Sequence, residues 1–402
     1  MMKKAFYFFI VLIFIFQFSH KAYAEEDIPE ILSESAIVME STTGAVLYEK
    51  NAEDIMYPAS LTKIATAIYT IEKGNLNDEV IVSEEASSVD GTKVYLEKDE
   101  KVTLKKLVQG MLINSGNDAA YAIAEHLHGD AANFSKHLND YLKNEIGVEN
   151  TNFTNPHGLY DKNHYTTAKD MATITNYALE NKTFTDIFGT KELKWEGESW
   201  DTTLISHHQM LNGERPYEWI TGGKTGFVNE AKQTLASSAN NGALNLTAIV
   251  LKADYKRDIY KDTANILDYS FSNYVNKEFV PAKEYKADDR IYKSKEPNIS
   301  VTVPKTGFNE EVTKDGRLLI TDNEDRAVQV IKLEKEEEPQ EIVSAHQAIN
   351  STADEGSTTL PIKSIMLGAG AVIILLTIVL FSFMKRRRAQ QSHYGYIQRR
   401  KW

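Results

Sequence analysis

The chain has 402 residues, a net charge of −12 at pH 7 and no cysteine. Its length exceeds that of a typical single domain and is sufficient for a well-buried core. The lack of cysteine excludes a disulfide scaffold, a thiolate nucleophile, thiolate-bound zinc and iron–sulfur clusters. Both ends are basic, so the body between them is strongly acidic, which argues against a nucleic-acid partner.

Residues 1–24 have the pattern of a secretory signal peptide. Lys3 and Lys4 precede an apolar run over 5–18, and Ala22 and Ala24 end the segment just before acidic residues begin. A charged start, an apolar middle and an A-x-A end are the three parts of such a peptide. The alternative is an uncleaved membrane anchor, for which the apolar run is short.

Residues 25–275 predict a large α+β domain. Strand patterns cover 35–40 and 45–50, which read as a hairpin, and 232–238 and 245–252. Apolar residues at helical spacing predict helices over 58–74, 103–114, 131–146, 167–179 and 257–274, with another beginning at Asp118. Because strands lie at both ends with helices between, we expect the terminal strands to share one antiparallel sheet.

The first polar motif is S-x-x-K at residues 60–63, at the start of an apolar helix. Positions i and i+3 share one helix face, so the Lys63 amine can reach the Ser60 hydroxyl and act as its base. Backbone N–H groups at the helix start favour a developing oxyanion. The alternative is a helix-capping Ser60 followed by a solvated lysine. A buried unpaired ammonium would be costly, however, and the rest of this helix is apolar.

Two further motifs follow in the same domain. S-x-N at 115–117 offers a hydroxyl and an amide, and K-T-G at 224–226 offers a cation, a hydroxyl and a closely approachable backbone for a substrate carboxylate. Each is weak alone. The same spacings recur at 382–385, at 238–240, which we interpret as a plain turn, and at 305–307, a turn in the next domain.

The remaining segments predict a small domain and a membrane attachment. Short strand patterns over 298–303, 317–320 and 328–333 indicate a small all-β domain at 276–334, followed by an acidic flexible linker at 335–363. Residues 364–384 carry no charge and are long enough for a transmembrane helix. The basic tail at 385–402 is typical of the cytoplasmic side, which puts the body outside the cell.

In their order and spacing, the three motifs resemble those of the serine-type D-alanyl-D-alanine carboxypeptidases, the low-molecular-mass penicillin-binding proteins of peptidase family S11. The similarity extends to the stretches 58–63, 115–120, 155–159 and 223–226. It implies an α+β penicillin-binding transpeptidase or β-lactamase-like domain that removes the terminal D-Ala from peptidoglycan stem pentapeptides. It also implies acylation by β-lactams, no cofactor and no metal. We expect a single-pass protein of a bacterial, Gram-positive cell membrane with its catalytic domain outside.

The resemblance also assigns roles to individual residues. Ser60 is then the acylated nucleophile, Lys63 its general base and Ser115 the proton shuttle to the leaving amine. The substrate-binding set aligns the peptide, holds its carboxylate or completes the oxyanion hole: Asn117, Lys224, Thr225, Gly226, Phe227 and Arg257. Arg257 fits least well, because its spacing differs slightly from the family's pattern, and a solvated helix-face charge is its alternative.

Lys63 can act as a base at neutral pH only if its pKa is lowered. A solvent-exposed lysine has a pKa near ~10.4, and lowering it to about 7 requires roughly 4 kcal/mol. Burial and a second cation such as Lys224 can supply this free energy. We therefore expect Lys63 and Lys224 to lie close together.

Other functions remain open from the sequence. A Ser–His–Asp hydrolase could use His157, although its setting between proline and glycine favours a loop-shaping role. A membrane-tethered class A-like β-lactamase would need E-x-x-x-N, but Glu149 is followed four residues later by Phe153. A non-catalytic β-lactam sensor or wall-binding protein is disfavoured by the short cytoplasmic tail and the intact motifs.

Overall fold

The computed structural model describes residues 28–336 except Lys283. The predicted signal peptide, transmembrane helix and basic tail, and nearly all of the predicted linker, lie outside these residues. Within the described range, none of the helices combines the length and the apolar character that a bilayer crossing requires.

Over the described residues 28–275, five strands of the large domain form one antiparallel sheet in which the first and last strands of the domain are neighbours, as predicted. Four shorter strands form two separate hairpins. The nine strands in this described range are β1 (Ser35–Glu40), β2 (Val46–Lys50), β3 (Glu79–Ile81), β4 (Lys101–Thr103), β5 (Glu192–Glu196), β6 (Asp201–Ile205), β7 (Ile220–Val228), β8 (Lys232–Asn240) and β9 (Asn245–Ala253). The order in the five-stranded sheet is β2-β1-β9-β8-β7.

In the part of the large domain that the structure describes, nine helices accompany these strands. Each predicted helix is present, within a few residues at its ends. They are α1 (Thr62–Lys73), α2 (Glu84–Ser88), α3 (Leu104–Ile113), α4 (Asn117–His128), α5 (Ala131–Tyr141), α6 (Ala168–Leu179), α7 (Lys182–Phe188), α8 (Gln209–Asn212) and α9 (Lys256–Asn273). A 3₁₀ turn, Ala59–Leu61, leads into α1, and a π turn, Leu142–Ile146, extends α5.

The sheet is buried on both faces, and this separates two hydrophobic cores. Every residue of β1 is buried. Its side chains alternate between the faces, so Ile37 packs with the helices α1 to α7 while Ala36 and Val38 pack with α9. Burial on both faces explains why β1 is apolar without interruption at its centre.

Local signals account for several helix ends. Thr103 begins α3 by accepting a hydrogen bond from the backbone N–H of Lys106 through its hydroxyl, as predicted for a cap.

One interpretation was wrong: residues 238–240 are not a turn but the last part of β8. There Ser238 Oγ lies 2.8 Å from Thr221 Oγ1 of the adjacent strand, and the turn follows at 241–244.

After α9, the described residues up to 336 form eight short strands in three small antiparallel sheets. They are β10 (Tyr274–Phe279), β11 (Tyr285–Ala287), β12 (Arg290–Lys293), β13 (Ile299–Pro304), β14 (Asn309–Val312), β15 (Arg317–Thr321), β16 (Ala327–Lys332) and β17 (Glu334–Lys335). Their own core includes Tyr292, Val301 and Leu318. Hydrogen bonds join them to the β1–β2 turn, where Thr43 Oγ1 lies 2.6 Å from Thr302 Oγ1.

Candidate active site

The S-x-x-K motif lies where the 3₁₀ turn passes into α1. Ala59 has φ +49°, an uncommon conformation for a residue with a side chain, and this places Ser60 at a sharp bend. Lys63, one turn further, is completely buried inside the helical layer. The sequence predicted this burial, because the other residues of the helix are apolar on nearly every side.

Three oxygen atoms surround the amine of Lys63. Its Nζ lies 2.7 Å from Asn117 Oδ1, 2.7 Å from the backbone oxygen of His157 and 3.0 Å from Ser60 Oγ. The amide and backbone oxygens can only accept hydrogen bonds, so they use two N–H groups of the amine. A neutral amine has two N–H groups and one lone pair, which leaves the lone pair directed at the Ser60 hydroxyl.

The S-x-N motif forms the loop between α3 and α4, and K-T-G lies in the middle of β7. Ser115 has φ +63°, which turns its hydroxyl toward β7. The Lys224 Nζ is buried, 3.0 Å from Ser115 Oγ and 2.8 Å from the backbone oxygen of Thr225. The three motifs, which are far apart in sequence, therefore meet in one place.

Gly226 allows β7 to approach Ser60 closely. A Cβ atom at this position would lie 2.8 Å from the Ser60 backbone nitrogen and 2.4 Å from Thr234 Oγ1. Thr234, on the neighbouring strand, donates a 3.0 Å hydrogen bond to the backbone oxygen of Pro58, just before the bend. The edge of the sheet is thus fixed against the turn that carries Ser60.

Burial sets the electrostatics of both lysines. It lowers the pKa of Lys63 well below its ordinary value, and the charge of Lys224 lowers it further, while Asp118 has the opposite effect. Burial also lowers the pKa of Lys224 to about 7. The direction and both causes agree with the demand derived from the sequence.

Removing the charge at position 224 should move the pH dependence of acylation. If Lys63 is the base that the sequence predicts, it acts only when neutral, and the acylation rate should rise with pH through its pKa. Because Lys224 lowers that pKa, Lys224→Met should shift the acidic limb of the pH–rate profile to higher pH. The rate of labelling by a fluorescent penicillin, measured from pH 5 to 10, tests this prediction. Lys232→Met is the matched control, since Lys232 is a surface residue of β8 paired with Asp254, and an unmoved limb in Lys224→Met would contradict the coupling.

A cleft of about 760 Å³ opens above these groups. The predicted residues Ser60, Ser115, Thr225, Gly226 and Phe227 line it, and Phe227 is 56% exposed at its edge. The remaining lining residues come mainly from β6, from the segment around α8 and from the start of α9: Thr92, Asn114, Thr203, Ile205, Ser206, His207, Asn212, Glu214, Gln233 and Lys256.

The structure does not bring Arg257 to this cleft. Its side chain is 73% exposed, and its Nε lies 2.9 Å from the carboxylate of Asp258. The preceding residue, Lys256, lines the cleft instead. Consecutive residues of a helix point about 100° apart, so a one-residue difference decides which cation faces the cleft.

The two other candidates from the sequence have different places. His157 contributes its backbone oxygen to Lys63, while its imidazole is buried and has a pKa lowered to about 3, chiefly by burial. Glu149 is exposed and does not line the cleft. Among the described residues, no group of three or more His, Asp or Glu side chains is arranged to hold a metal ion.

Asp118, which the sequence analysis placed only at a helix start, supports the site from below. Its buried carboxylate accepts hydrogen bonds from the backbone N–H groups of Val94 and Leu96, at 3.0 and 3.1 Å, and so holds the 94–96 segment against α4. Burial raises its pKa, and these hydrogen bonds oppose the rise. The position of Asp118 directly after the S-x-N motif is the sequence feature that could have indicated this supporting role.

Residues 21–255 match the family described as "Peptidase_S11: D-alanyl-D-alanine carboxypeptidase". D-alanyl-D-alanine carboxypeptidase DacF of Bacillus subtilis is 33% identical over 313 residues, which are 75% of this chain and 79% of that protein. D-alanyl-D-alanine carboxypeptidase DacA of Haemophilus influenzae is 29% identical, over 71% of this chain and 75% of that protein.

Two solved structures have the same fold. The crystal structure of D-alanyl-D-alanine carboxypeptidase DacD from Francisella tularensis superposes with a TM-score of 0.66 and 24% identity, and covers 79% of this chain and 97% of that one. A point mutant of the Streptomyces K15 DD-transpeptidase gives a TM-score of 0.57 and 27% identity, over 61% of this chain and 99% of that one.

Proposed function

The chain belongs to the peptidase S11 family of D-alanyl-D-alanine carboxypeptidases, and we propose that it removes the terminal D-Ala from peptidoglycan stem pentapeptides through an acyl-enzyme at Ser60. One observation carries the assignment of the nucleophile: the buried Lys63 amine lies 3.0 Å from Ser60 Oγ, with its two N–H groups occupied elsewhere. That arrangement supplies a base beside the hydroxyl at neutral pH.

In the acylation step, Ser60 Oγ attacks the carbonyl carbon between the two D-Ala residues and passes its proton to Lys63. The oxyanion that forms accepts hydrogen bonds from the backbone N–H groups of Ser60 and Phe227. When the C–N bond breaks, the leaving amine receives a proton from Ser115. Lys224, whose Nζ lies 3.0 Å from Ser115 Oγ, returns a proton to that hydroxyl, and the proton that Lys63 took from Ser60 replaces the one lost by Lys224. Water then attacks the ester, releases the shortened peptide and restores the Ser60 hydroxyl.

Substrate binding uses the strand β7 and the cations beside it. Lys224 and Thr225 bind the terminal carboxylate, and Gly226 lets the backbone of β7 approach the nucleophile. The prediction gave Asn117 only the role of aligning the peptide, but its side chain also contacts the base. Its amide oxygen accepts a hydrogen bond from Lys63, and its amide nitrogen donates one to the Asp90 backbone oxygen at 2.6 Å. Orienting the base is therefore at least as much its role as aligning the peptide.

We expect Lys256, rather than Arg257, to assist the carboxylate. Lys256→Met should raise KM for a peptide ending in a free carboxylate by about three- to tenfold, because an exposed charge contact is worth about 1 kcal/mol. Arg257→Met should leave KM within twofold of wild type. Steady-state D-Ala release measures both values. A larger effect of Arg257→Met would return the role to that residue.

A β-lactamase is the second hydrolase that shares these motifs. It is disfavoured, because the acidic residue nearest the required sequence position, Glu149, is exposed and away from the cleft. The family's fold is also consistent with slow turnover of a β-lactam ester, so that penicillins act as long-lived acylating inhibitors. No motif selects the acceptor of the acyl group, and the Streptomyces K15 relative is named a transpeptidase.

The test is incubation of the purified protein with a stem peptide ending in D-Ala–D-Ala, with and without an amine acceptor. We expect stoichiometric release of D-Ala, a peptide shortened by one residue and loss of both products after penicillin treatment. Ser60→Ala should release no D-Ala and take up no labelled penicillin. Cross-linked product without net hydrolysis would replace the carboxypeptidase with a transpeptidase, and rapid penicillin hydrolysis would replace it with a β-lactamase.

We further propose that the protein acts outside the cell, at the membrane of a Gram-positive bacterium. The uncharged run at 364–384, the basic tail after it and the signal pattern at 1–24 support this proposal. In cells producing the full chain, the catalytic domain should be digested by external protease and should sediment with membranes. Release into the medium after deletion of 364–402 would agree with the proposed attachment.

A further inference from the structure

A chain of hydrogen bonds beneath the nucleophile begins at His164. The backbone N–H of Thr154 can only donate, and it lies 3.0 Å from His164 Nδ1, so that nitrogen is an acceptor. Burial lowers the pKa of His164 to about 3, and the ring is neutral at ordinary pH. Its single N–H is therefore on Nε2, 2.8 Å from Thr62 Oγ1.

The chain continues to the peptide bond that precedes Ser60. Because Thr62 Oγ1 accepts from the histidine, its own proton is free to donate to the backbone oxygen of Ala59, 2.9 Å away. That oxygen belongs to the residue with the positive φ. Thr62 lies inside the S-x-x-K motif, yet its side chain is completely buried and directed away from the cleft.

The geometry of a trans peptide gives this contact its importance. In a planar trans unit, the C=O of one residue and the N–H of the next point in opposite directions. The Ala59 oxygen faces Gly158, where a Cβ would lie only 1.9 Å away, and the Ser60 nitrogen faces Gly226, where a Cβ would lie 2.8 Å away. Fixing the Ala59 oxygen on one side therefore fixes the Ser60 N–H on the other, where the oxyanion forms.

We propose that His164 and Thr62 are positioning residues for the oxyanion hole: they hold the Ala59 carbonyl through consecutive hydrogen bonds and so orient the Ser60 N–H toward the reacting carbonyl. The inference rests on the proposed function, because it concerns the same acylation step. Neither residue touches the substrate. Their effect on the reaction comes from keeping an uncommon backbone conformation in place.

Two substitutions of His164 separate positioning from packing. Its ring stacks on Phe153 with the centroids 5.0 Å apart, and both amide side chains lose this contact equally. The amide nitrogen of Gln can occupy the place of Nε2 and keep the donor to Thr62. The shorter Asn can replace only Nδ1, so it keeps the acceptor for Thr154 and loses the donor.

The experiment measures D-Ala release, penicillin acylation and the inhibition constant of a boronic acid that mimics the tetrahedral oxyanion. For His164→Asn and Thr62→Val, we expect kcat to fall about 10- to 100-fold, since losing one oxyanion donor costs about 10²–10³. KM should change less than about twofold, and boronate affinity should fall in parallel with kcat. His164→Gln and Thr62→Ser should stay within about threefold of wild type, and the double variant His164→Asn/Thr62→Val should be no slower than either single variant.

Equal activities of the Asn and Gln variants, or additive losses in the double variant, would overturn the proposal. Thermal unfolding of every variant is measured alongside. If His164→Asn does not fold, the comparison of Thr62→Val with Thr62→Ser decides, because those changes leave the histidine in place. If wild type releases no D-Ala, the proposed function fails, but the penicillin acylation rates still decide whether the positioning residues act as described.

Discussion

Lys63→Met should lower the rate of acylation by a labelled penicillin by about 10³- to 10⁴-fold, near the upper limit for loss of one general base. Methionine keeps the length and apolar character of the side chain and removes only the amine. The hydroxyl of Ser60 would then lose the lone pair that lies 3.0 Å away. D-Ala release should fall by a similar factor, because the same base serves the peptide substrate.

The control for this variant lies on the same helix. Lys73→Met removes a partly exposed amine whose Nζ lies 2.8 Å from a Glu145 carboxylate oxygen, and acylation should stay at the wild-type rate. Lys63→Met also leaves the oxygens of Asn117 and His157 without a donor, which costs about 1–3 kcal/mol each. Unfolding in urea distinguishes that cost from lost catalysis. A folded Lys63→Met protein with near-normal acylation would mean that another group takes the serine proton.

Gly158→Ala should be the most damaging change of a single methyl group. The residue has φ +88°, and a Cβ would lie 1.9 Å from the Ala59 oxygen, which a backbone atom cannot avoid by rotating. We expect a loss of at least about 3 kcal/mol in the free energy of unfolding, in the range of severe backbone effects. Because the displaced atom belongs to the bend before Ser60, acylation of any folded fraction should also fall at least tenfold.

Gly147→Ala provides a matched comparison. Gly147 has nearly the same φ, +84°, but apart from its own chain neighbours no atom lies within 4 Å of its Cβ position. Its substitution should therefore cost only the conformational penalty, about 1 kcal/mol, and leave acylation unchanged. Urea unfolding and penicillin labelling of both variants measure the difference. Equal losses at the two positions would show that the close approach of Gly158 to Ala59 has no energetic importance.

The candidate catalytic groups could be located from the sequence because the proposed chemistry requires particular side chains at particular spacings. Ser60 and Lys63 are three residues apart on a helix with an otherwise apolar sequence, and that pattern indicates both the contact and the burial. The meeting of Lys63 with Lys224 followed from the pKa a base needs. The central sheet followed from strand patterns at the two ends of the domain.

Groups that act through the backbone left no such signal. The third partner of Lys63 is the backbone carbonyl of His157, which any residue at that position could supply. The sequence analysis considered only the imidazole of His157. The β5–β6 hairpin, whose second strand lines the cleft, is mostly exposed, and each of its strands has a single buried side chain, Trp195 and Leu204, which is too few to give a strand pattern. Whether Lys256 or Arg257 lines the cleft depends on the rotation of α9 about its axis, and a helical pattern specifies that rotation only to within one residue.

The two lysines also make the free energy of unfolding depend on pH. In the unfolded chain a lysine keeps its proton up to about pH 10.4, whereas the pKa of Lys224 in the fold is about 7. Between these values the unfolded chain binds more protons, so the free energy of unfolding rises with pH, and Lys63 contributes in the same direction. Across that interval Lys224 alone corresponds to a change on the order of 5 kcal/mol. An anion bound beside Lys224 favours its protonated form, so at neutral pH a carboxylate ligand should protect the protein against unfolding more effectively than it does in alkaline buffer.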